Sequence, residues 1–282
     1  MFICRYIDSA TGIGRPGYGR LEQKRDGGSV VPVVYDRAFG RWVNGPGRAR
    51  PFSEITLLPP AEPSKIACVA LNRAPSGHAA ADDRRTTGAA SCAVVLKPPS
   101  SLAGSGDTVR HPGAEWELKY EAELAAVIGV RCIRVTPGEA ARVVAGYTCA
   151  NDLTAYAKPS ADGSGGSGPT GFPPVWAKHF DGFTPVGPWL ATELDPADIE
   201  ITCTVDGEMV QRAGTRDLLT PVHEVIAAVS EHMTLLPGDV ILTGTPAASG
   251  SLPPGSRVEV AIADIGTLTT TIGTPIEGQY ER

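Results

Sequence analysis

Tyr120-Glu-Ala-Glu-Leu-Ala-Ala-Val-Ile-Gly129 is the stretch of this sequence that decides the fold. Two carboxylates, one residue apart, lead into an apolar run that is typical of a buried strand. Because alternate side chains of a strand share a face, Glu121 and Glu123 are predicted to point the same way, roughly 7 Å apart. At an effective dielectric of about 20, two such charges repel by roughly 2 kcal/mol. A bound cation, a nearby Lys or Arg, or a raised pKa relieves this repulsion; the alternative is a strand edge with both carboxylates in water.

The composition bounds the class of protein. With 282 residues, of which 20% are charged, the chain can form one large domain, or a main domain with a small appendage. A formal charge of −6 disfavours nucleic-acid binding. Six scattered cysteines without Cys-x-x-Cys spacing indicate neither a disulfide framework nor a zinc site. Because we find no signal-peptide segment at Met1–Ile7 and no run of roughly 20 apolar residues, we expect a cytoplasmic protein with no membrane partner.

The N-terminal part, 1–58, is predicted to be a small strand-rich domain that ends before the Pro59-Pro60 break. Its predicted strands, Phe2–Ile7 and Val30–Tyr35, are separated by a Gly-rich loop. The main domain is predicted over 62–274, and a short tail, 275–282, follows.

Most of the main domain has strand and turn patterns. Strands are predicted at 66–71, 91–97, 187–192, 199–205, 239–243, 257–262 and 268–272. Thr136-Pro-Gly-Glu139 provides an N-cap, a first-turn proline and a capping glutamate, so a helix is predicted over 137–147. Thr220-Pro221 opens a second helix. Two helices among ten or so strands predict a β-dominated α+β domain. The Gly-Ser segment Ser160–Thr170 reads as a flexible linker, either disordered or a functional lid.

Asp152 and Lys178 are further candidates for chemistry. Asp152 is predicted to lie just past the first helix, where an aspartate is usually a cap. Together with Glu121 and Glu123 it offers three carboxylates without histidine or cysteine, a set that suits Mg²⁺, Mn²⁺ or Ca²⁺. Lys178, beside Trp176, is either a snorkelling surface residue or a partly buried cation that holds an oxyanion.

In their order, several motifs resemble the fumarylacetoacetate hydrolase family. They are Ile66-Ala-Cys-Val-Ala-Leu-Asn72, Leu96-Lys-Pro-Pro-Ser-Ser-Leu102, Tyr120-Glu-Ala-Glu-Leu124, Gly146-Tyr-Thr-Cys-Ala-Asn-Asp152, Ala177-Lys178-His-Phe180, Pro185-Val-Gly-Pro-Trp189, Val205-Asp-Gly-Glu208 and Leu236-Pro-Gly-Asp-Val-Ile-Leu-Thr-Gly-Thr-Pro246. The resemblance covers about 62–274 and implies a mixed β-sandwich roll, usually as a homodimer. It also implies a Mg²⁺, Mn²⁺ or Ca²⁺ ion held by Glu121, Glu123 and Asp152, with Lys178 at a developing oxyanion and Thr245 near a small oxo or dicarbonyl substrate.

Two motifs depart from the family pattern. The family's Asn-Tyr-x-x-His-x-x-Glu is replaced by a segment in which His78 is the candidate histidine, displaced by two residues. Ala81 stands at the glutamate position, and Asp82 is the candidate partner of His78. The alternative is that His78 is a solvent-exposed loop residue without a catalytic role. This dyad would activate water or move a proton.

The second departure concerns the substrate contacts. Tyr156 and Pro159 replace an arginine and a glutamine of the family, which removes a bidentate carboxylate clamp. Tyr156 is therefore a candidate substrate contact, and the change suggests a larger or less anionic substrate. His179 is either a replacement polar contact or general base, or a neutral packing residue; we favour packing.

The leading hypothesis is a metal-dependent hydrolase that cleaves a C–C bond in an acylpyruvate-like or other β-dicarbonyl compound. A decarboxylase, isomerase or tautomerase is the close alternative, because these reactions need enolate stabilisation without hydrolytic water. A non-catalytic metal- or ligand-binding homologue is the third hypothesis.

Overall fold

Strands dominate the backbone. The computed structural model of the chain describes residues 1–9, 16–22, 28–36, 40–73, 93–158 and 175–275. Across these ranges there are two α-helices, α1 (Pro137–Val143) and α2 (Val222–His232). The prediction of a β-dominated α+β fold is therefore confirmed.

The N-terminal strands pair as antiparallel neighbours. They are β1 (Phe2–Asp8), β2 (Gly17–Glu22), β3 (Ser29–Asp36), β4 (Arg41–Asn44), β5 (Arg50–Pro51) and β6 (Ile55–Leu58). Strand β2 lies in the stretch predicted as a Gly-rich loop. A Cβ on Gly19 would lie 1.9 Å from a methyl carbon of Val30, so this strand needs glycine for close packing against β3.

The remaining strands belong to the predicted main domain. They are β7 (Ile66–Ala70), β8 (Ala93–Lys97), β9 (Leu102–Ala103), β10 (Thr108–Arg110), β11 (Trp116–Lys119), β12 (Ala122–Ile128), β13 (Val144–Asn151), β14 (Thr154–Ala157), β15 (Thr184–Ala191), β16 (Glu200–Val205), β17 (Glu208–Gly214), β18 (Val240–Leu242), β19 (Arg257–Ile262) and β20 (Gly266–Gly273).

The strands form two sheets and a separate two-stranded ribbon. The larger sheet runs β4-β3-β2-β1-β15-β13-β12-β18-β7-β8, the smaller runs β10-β20-β19-β16-β17, and β11 pairs with β14. Most pairs are antiparallel, but β18–β7, β15–β9 and β10–β20 are parallel, so the fold is mixed. Because β1 pairs with β15, the N-terminal strands continue the larger sheet. The predicted boundary between 58 and 62 stays a prediction.

Strand β12 lies inside the larger sheet, between β13 and β18, and all seven of its residues are buried. Leu124, Ala126 and Ile128 join the core that includes residues of the smaller sheet. Ala125 and Val127 face a second core on the opposite side. A strand buried on both faces requires a nearly continuous apolar run, which is the pattern that the sequence shows.

The first helix is shorter than predicted. The capping box of Thr136 and Glu139 is present, but α1 ends at Val143 and β13 begins at once at Val144. Tertiary pairing of β13 with β12 and β15 takes the residues that the pattern assigned to the last turn. Asp152 therefore follows a strand and not a helix, so the predicted position just past the first helix was wrong and the alternative of a helix cap does not apply.

None of the helices within the described ranges combines the length and apolarity that crossing a bilayer requires.

Candidate active site

The ends of β12 and β13 bring the three predicted carboxylates together. Ala122 is paired with Asn151 in the register of the two strands. The backbone N–H of Asp152 donates to the carbonyl of Glu121 at 2.9 Å, and the N–H of Glu121 donates to Asn151 Oδ1 at 2.9 Å. As a result, one carboxylate oxygen from each of Glu121, Glu123 and Asp152 lies within 4.8 Å of the others.

Asp152 is completely buried and held by three side chains. Its Oδ1 accepts a hydrogen bond from Lys97 Nζ at 2.5 Å. Its Oδ2 accepts from Lys178 Nζ and from Cys68 Sγ. Lys97 Nζ also donates to the carbonyl of Phe183 at 2.6 Å. These contacts fix the orientation of the carboxylate plane before any ligand binds.

Glu123 is positioned by the backbone that follows β18. Its Oε2 accepts from the N–H of Gly244 at 2.7 Å. Gly244 has φ of +96°, and a Cβ there would lie 2.7 Å from Cβ of Asn72. Only glycine combines this left-handed backbone with the close approach of Asn72. The buried amide of Asn72 is itself held, because it donates to Thr220 and Thr243 carbonyls and accepts from the Thr220 N–H.

Lys178 is a buried cation, not a snorkelling surface residue. It closes a short 3₁₀ helix, Val175–Lys178, and its side chain is 10% exposed. Besides Asp152, its Nζ donates to Glu121 Oε2 at 2.9 Å. Trp176 packs edge-on against Trp116 with ring centroids 5.1 Å apart, which supports the helix from outside. The structure thus joins Lys178 to the predicted carboxylate set.

The environment divides the carboxylates by pKa. Burial raises the pKa of Glu123 well above its usual range, and Asp152 and Glu121 raise it further. Burial likewise raises the pKa of Glu121 against the opposing effect of Lys178. Burial by itself would raise the pKa of Asp152 as well. The positive charges of Lys178 and Lys97 outweigh this effect and hold the pKa of Asp152 below its usual range. Ionising Glu123 therefore requires additional positive charge nearby.

The donor set fits a hard divalent cation. When all three carboxylates are ionised, the two lysine ammonium groups balance two of their charges and one negative charge remains. Two oxygens on opposite sides of an ion are about 4.2 Å apart for Mg²⁺ and about 4.8 Å apart for Ca²⁺. The observed spacing of up to 4.8 Å is compatible with these values. Glu121, Glu123 and Asp152 are the residues that would hold such an ion.

A cavity of about 260 Å³ opens onto this centre. Glu121, Glu123 and Lys178 line it, together with the predicted substrate contacts Tyr156 and Thr245. Burial raises the pKa of Tyr156, and the charge of Glu121 adds to this effect, so the phenol stays protonated as a donor.

The other predicted site residues have different outcomes. His78, Asp82 and the segment Ser160–Thr170 lie outside the described residues. His179 does not line the cavity; its Nε2 is buried and has no hydrogen-bond partner among the residues that the structure describes.

Four residues that support the site were not predicted as site residues: Lys97, Gly244, Asn72 and Gln211. Gln211 accepts from the N–H of Ala122 at 3.2 Å and donates to Thr245 Oγ1 at 3.3 Å, linking β12 to the cavity wall. Of these residues, Lys97 had a signal in the sequence. It is a lysine at the end of an apolar run and before two prolines, a pattern that indicates a buried charge in need of a partner.

Comparisons with known proteins bear on the family and the fold of this chain. The family model described as "Fumarylacetoacetate (FAA) hydrolase C-terminal" matches residues 65–273. The mitochondrial oxaloacetate tautomerase Fahd2a of Rattus norvegicus is 32% identical over 235 residues, which cover 79% of this chain and 71% of that protein.

Two solved structures show the same fold. The 5-carboxymethyl-2-hydroxymuconate delta-isomerase of Mycobacterium smegmatis superposes with a TM-score of 0.79 at 30% identity, covering 97% of this chain and 100% of the isomerase. Maleylpyruvate hydrolase of Sphingobium sp. SYK-6, in complex with manganese(II) and pyruvate, gives a TM-score of 0.71 at 26% identity, covering 98% and 100%. Proteins similar to this chain thus include a hydrolase, an isomerase and a tautomerase. The present chain belongs to the fumarylacetoacetate hydrolase family.

Proposed function

We propose that this protein is a divalent-metal-dependent enzyme that forms the enolate of a 2-oxo or 1,3-dicarbonyl acid. Its proposed reaction is hydrolytic C–C cleavage of an acylpyruvate-like substrate. The observation that carries the proposal is the buried cluster of Glu121, Glu123 and Asp152, joined to Lys178 at the end of a cavity. Mn²⁺ in the similar maleylpyruvate hydrolase supports the choice of Mg²⁺ or Mn²⁺.

A bound Mg²⁺ or Mn²⁺ ion would supply Lewis-acid polarisation of the substrate's oxygens. The chain's own residues would do the rest. Lys178, whose pKa its carboxylate neighbours raise despite burial, remains a cation that can hold negative charge developing on a substrate oxygen. The Tyr156 hydroxyl and the Thr245 side chain face the same cavity and would orient the carbonyl groups.

Tautomerisation or isomerisation is the second candidate. Among the described residues that line the cavity, there is no histidine, and Glu121 and Glu123 are the only carboxylates. Both belong to the proposed metal centre, so neither is left to activate water. Enol–keto conversion needs only proton transfer at carbon beside a stabilised enolate.

Product analysis separates these reactions. Purified protein with Mn²⁺ would be incubated with acetylpyruvate and, separately, with oxaloacetate. Release of acetate and pyruvate supports hydrolysis. Faster enol–keto equilibration of oxaloacetate without acid fragments supports tautomerisation, and CO₂ release supports decarboxylation.

Two variants test the metal centre in the same assay. Glu123→Gln and Asp152→Asn are expected to abolish Mn²⁺ binding and turnover, whereas Glu200→Gln, which removes an exposed carboxylate paired with Arg212, should change neither. Full activity of either centre variant in the presence of a chelator would refute the proposed mechanism. Tight Mn²⁺ binding, lost in Asp152→Asn but accompanied by no turnover of any dicarbonyl, would instead favour a non-catalytic binding homologue.

The predicted homodimer is part of the same proposal. Sedimentation velocity is expected to give a mass twice the 29.4 kDa of the chain. A monomer at micromolar concentration would contradict it.

A further inference from the structure

Tyr156 lies on the face of the β11–β14 ribbon that borders the cavity. Side chains alternate along a strand, and Leu118 points from the opposite face into the core. The antiparallel register places Lys119 opposite Thr154, two positions before Tyr156. Lys119 and Tyr156 are therefore diagonal neighbours on one face, a separation that long and aromatic side chains can span.

The ammonium group of Lys119 covers the Tyr156 ring. Its Nζ lies 4.7 Å from the ring centroid, well inside the roughly 6 Å range of a cation–π contact. The Tyr156 hydroxyl, in contrast, has no hydrogen-bond partner among the residues that the structure describes. The ammonium group thus fixes the ring from one side, and the hydroxyl remains available to a ligand in the cavity.

Lys119 is itself anchored to a neighbouring wall of the cavity. Its Nζ lies 3.5 Å from Glu117 Oε2, and the Glu117 carboxylate accepts a hydrogen bond from the Ser251 hydroxyl. Lys119 and Ser251 also form an antiparallel bridge. Ser251 follows the loop in which Thr245 lines the cavity. The cation over Tyr156 therefore joins the ribbon to this loop.

The position of the charge decides how Lys119 can act. Lys119 is not among the described residues that line the cavity, whereas Tyr156 is. A positive charge close to the ring stabilises the negative charge that the phenol oxygen gains when its hydroxyl donates a hydrogen bond. Lys119 therefore reaches a ligand through the Tyr156 ring and not by direct contact.

We propose that Lys119 is a positioning residue of the active site, which holds the Tyr156 ring and strengthens its hydroxyl as a donor to a substrate oxygen. Tyr156 touches the substrate, and Lys119 acts through it. The pair stands in place of the arginine that the family pattern has at position 156. This inference rests on the proposed function, because it requires a substrate oxygen in the cavity.

A double-mutant cycle tests whether Lys119 acts through the Tyr156 hydroxyl. Oxalate, a planar dianion that mimics the enolate of a 2-oxo acid, is the probe, and its dissociation constant would be measured calorimetrically on the Mn²⁺-loaded protein. Lys119→Met is expected to weaken oxalate binding about 3- to 10-fold when Tyr156 is present. In the Tyr156→Phe background the same substitution should change binding by less than about 2-fold.

Two further variants separate this role from a structural one. Lys119→Arg keeps a cation over the ring and should retain the wild-type affinity within about 2-fold. Lys158→Met is the matched control, because it removes an exposed cation of the same ribbon that donates to the Ala114 carbonyl, and it should leave oxalate binding unchanged. Since the Lys119 side chain is 26% exposed, we expect the melting temperature of Lys119→Met to stay within about 4 °C of the wild type.

Four outcomes would overturn the proposal. They are no binding of oxalate to the wild-type protein, no effect of Lys119→Met, an equal effect of Lys119→Met with and without the Tyr156 hydroxyl, and an equal effect of Lys158→Met. Failure of the proposed function has a different signature, namely no turnover of acetylpyruvate or oxaloacetate by a protein that still binds oxalate. The cycle then still decides the role of Lys119.

Discussion

Lys97 and Asp152 form an ion pair in the interior of the protein, and both side chains are 0% exposed. Removing two charges from water costs free energy that only good geometry and further hydrogen bonds offset. Here Lys97 has carbonyl acceptors as well as the carboxylate, and Asp152 has three donors. The pair thus sets the direction of a proposed metal ligand.

Replacing Lys97 with methionine is expected to destabilise the protein by about 3–5 kcal/mol, because it leaves a buried carboxylate short of one counter-charge. Urea unfolding monitored by circular dichroism measures this change. Arg212→Gln, which breaks an exposed pair with Glu200, should cost at most about 1 kcal/mol. Equal effects of the two substitutions would show that the buried pair contributes no more than a surface pair.

Gly244 positions the second buried carboxylate through its backbone. Gly244→Ala forces a Cβ to within 2.7 Å of Asn72 Cβ and should displace the N–H that holds Glu123. We expect Mn²⁺ affinity to fall by about 10- to 100-fold, as for other residues that orient metal ligands. Gly207→Ala is the matched control, because Gly207 also has a positive φ but has no atom near the added Cβ. Unchanged calorimetric affinity in Gly244→Ala would contradict this role.

At the scale of elements, the turn before β18 is held by a single carboxylate. Asp239 is buried and accepts from the N–H groups of Ser64, Lys65 and Leu236, from the Ser64 hydroxyl and from Lys65 Nζ. Burial acts upward on its pKa, but the hydrogen bonds with Lys65, Leu236 and Ser64 outweigh it, so the pKa is lowered. Through the hydrogen bonds from Ser64 and Lys65, Asp239 holds this turn against the residues that lead into β7, the parallel neighbour of β18.

Asp239→Asn is expected to cost about 1.5–3 kcal/mol at pH 7, since hydrogen bonds to a charged group are lost. A lowered native pKa stabilises the fold above the unfolded value near 3.9, and this stabilisation disappears as the pH falls through the native pKa. The difference between wild type and variant should therefore shrink below about pH 4. Denaturant unfolding at pH 7 and below pH 4 measures it, and a constant difference would contradict the linkage.

Local patterns predicted some elements better than others. Arg257–Ile262 was predicted with the bounds that the structure gives, because its alternating side chains match one buried face. Trp116–Lys119 and Thr154–Ala157 were not predicted, since each is short and is stabilised by pairing with the other across more than thirty residues of chain. Helix α1 was predicted too long because strand pairing overrode helix propensity after Val143.

For the whole molecule, metal binding should couple to unfolding. Mn²⁺ at about 100 times its dissociation constant stabilises a folded state by about 2.7 kcal/mol if the unfolded chain does not bind it. The melting temperature should rise by several degrees, and excess chelator should reverse the rise. Scanning calorimetry measures it, with Asp152→Asn as the variant that should show no shift. A shift of the same size in that variant would place the bound ion elsewhere.

The sequence by itself determined the β-dominated class, the family, and a carboxylate set with a nearby lysine. The order of the motifs identified the family, and Glu121 and Glu123 could be placed together because they are two positions apart, one just before β12 and one within it, and side-chain alternation is a local property. Only the tertiary structure decided which residues complete the centre. Lys97 meets Asp152 across 55 positions, and Gly244 meets Glu123 across 121. Such contacts depend on the order and register of β7, β8, β12, β13 and β18, which long-range pairing sets and no local pattern encodes.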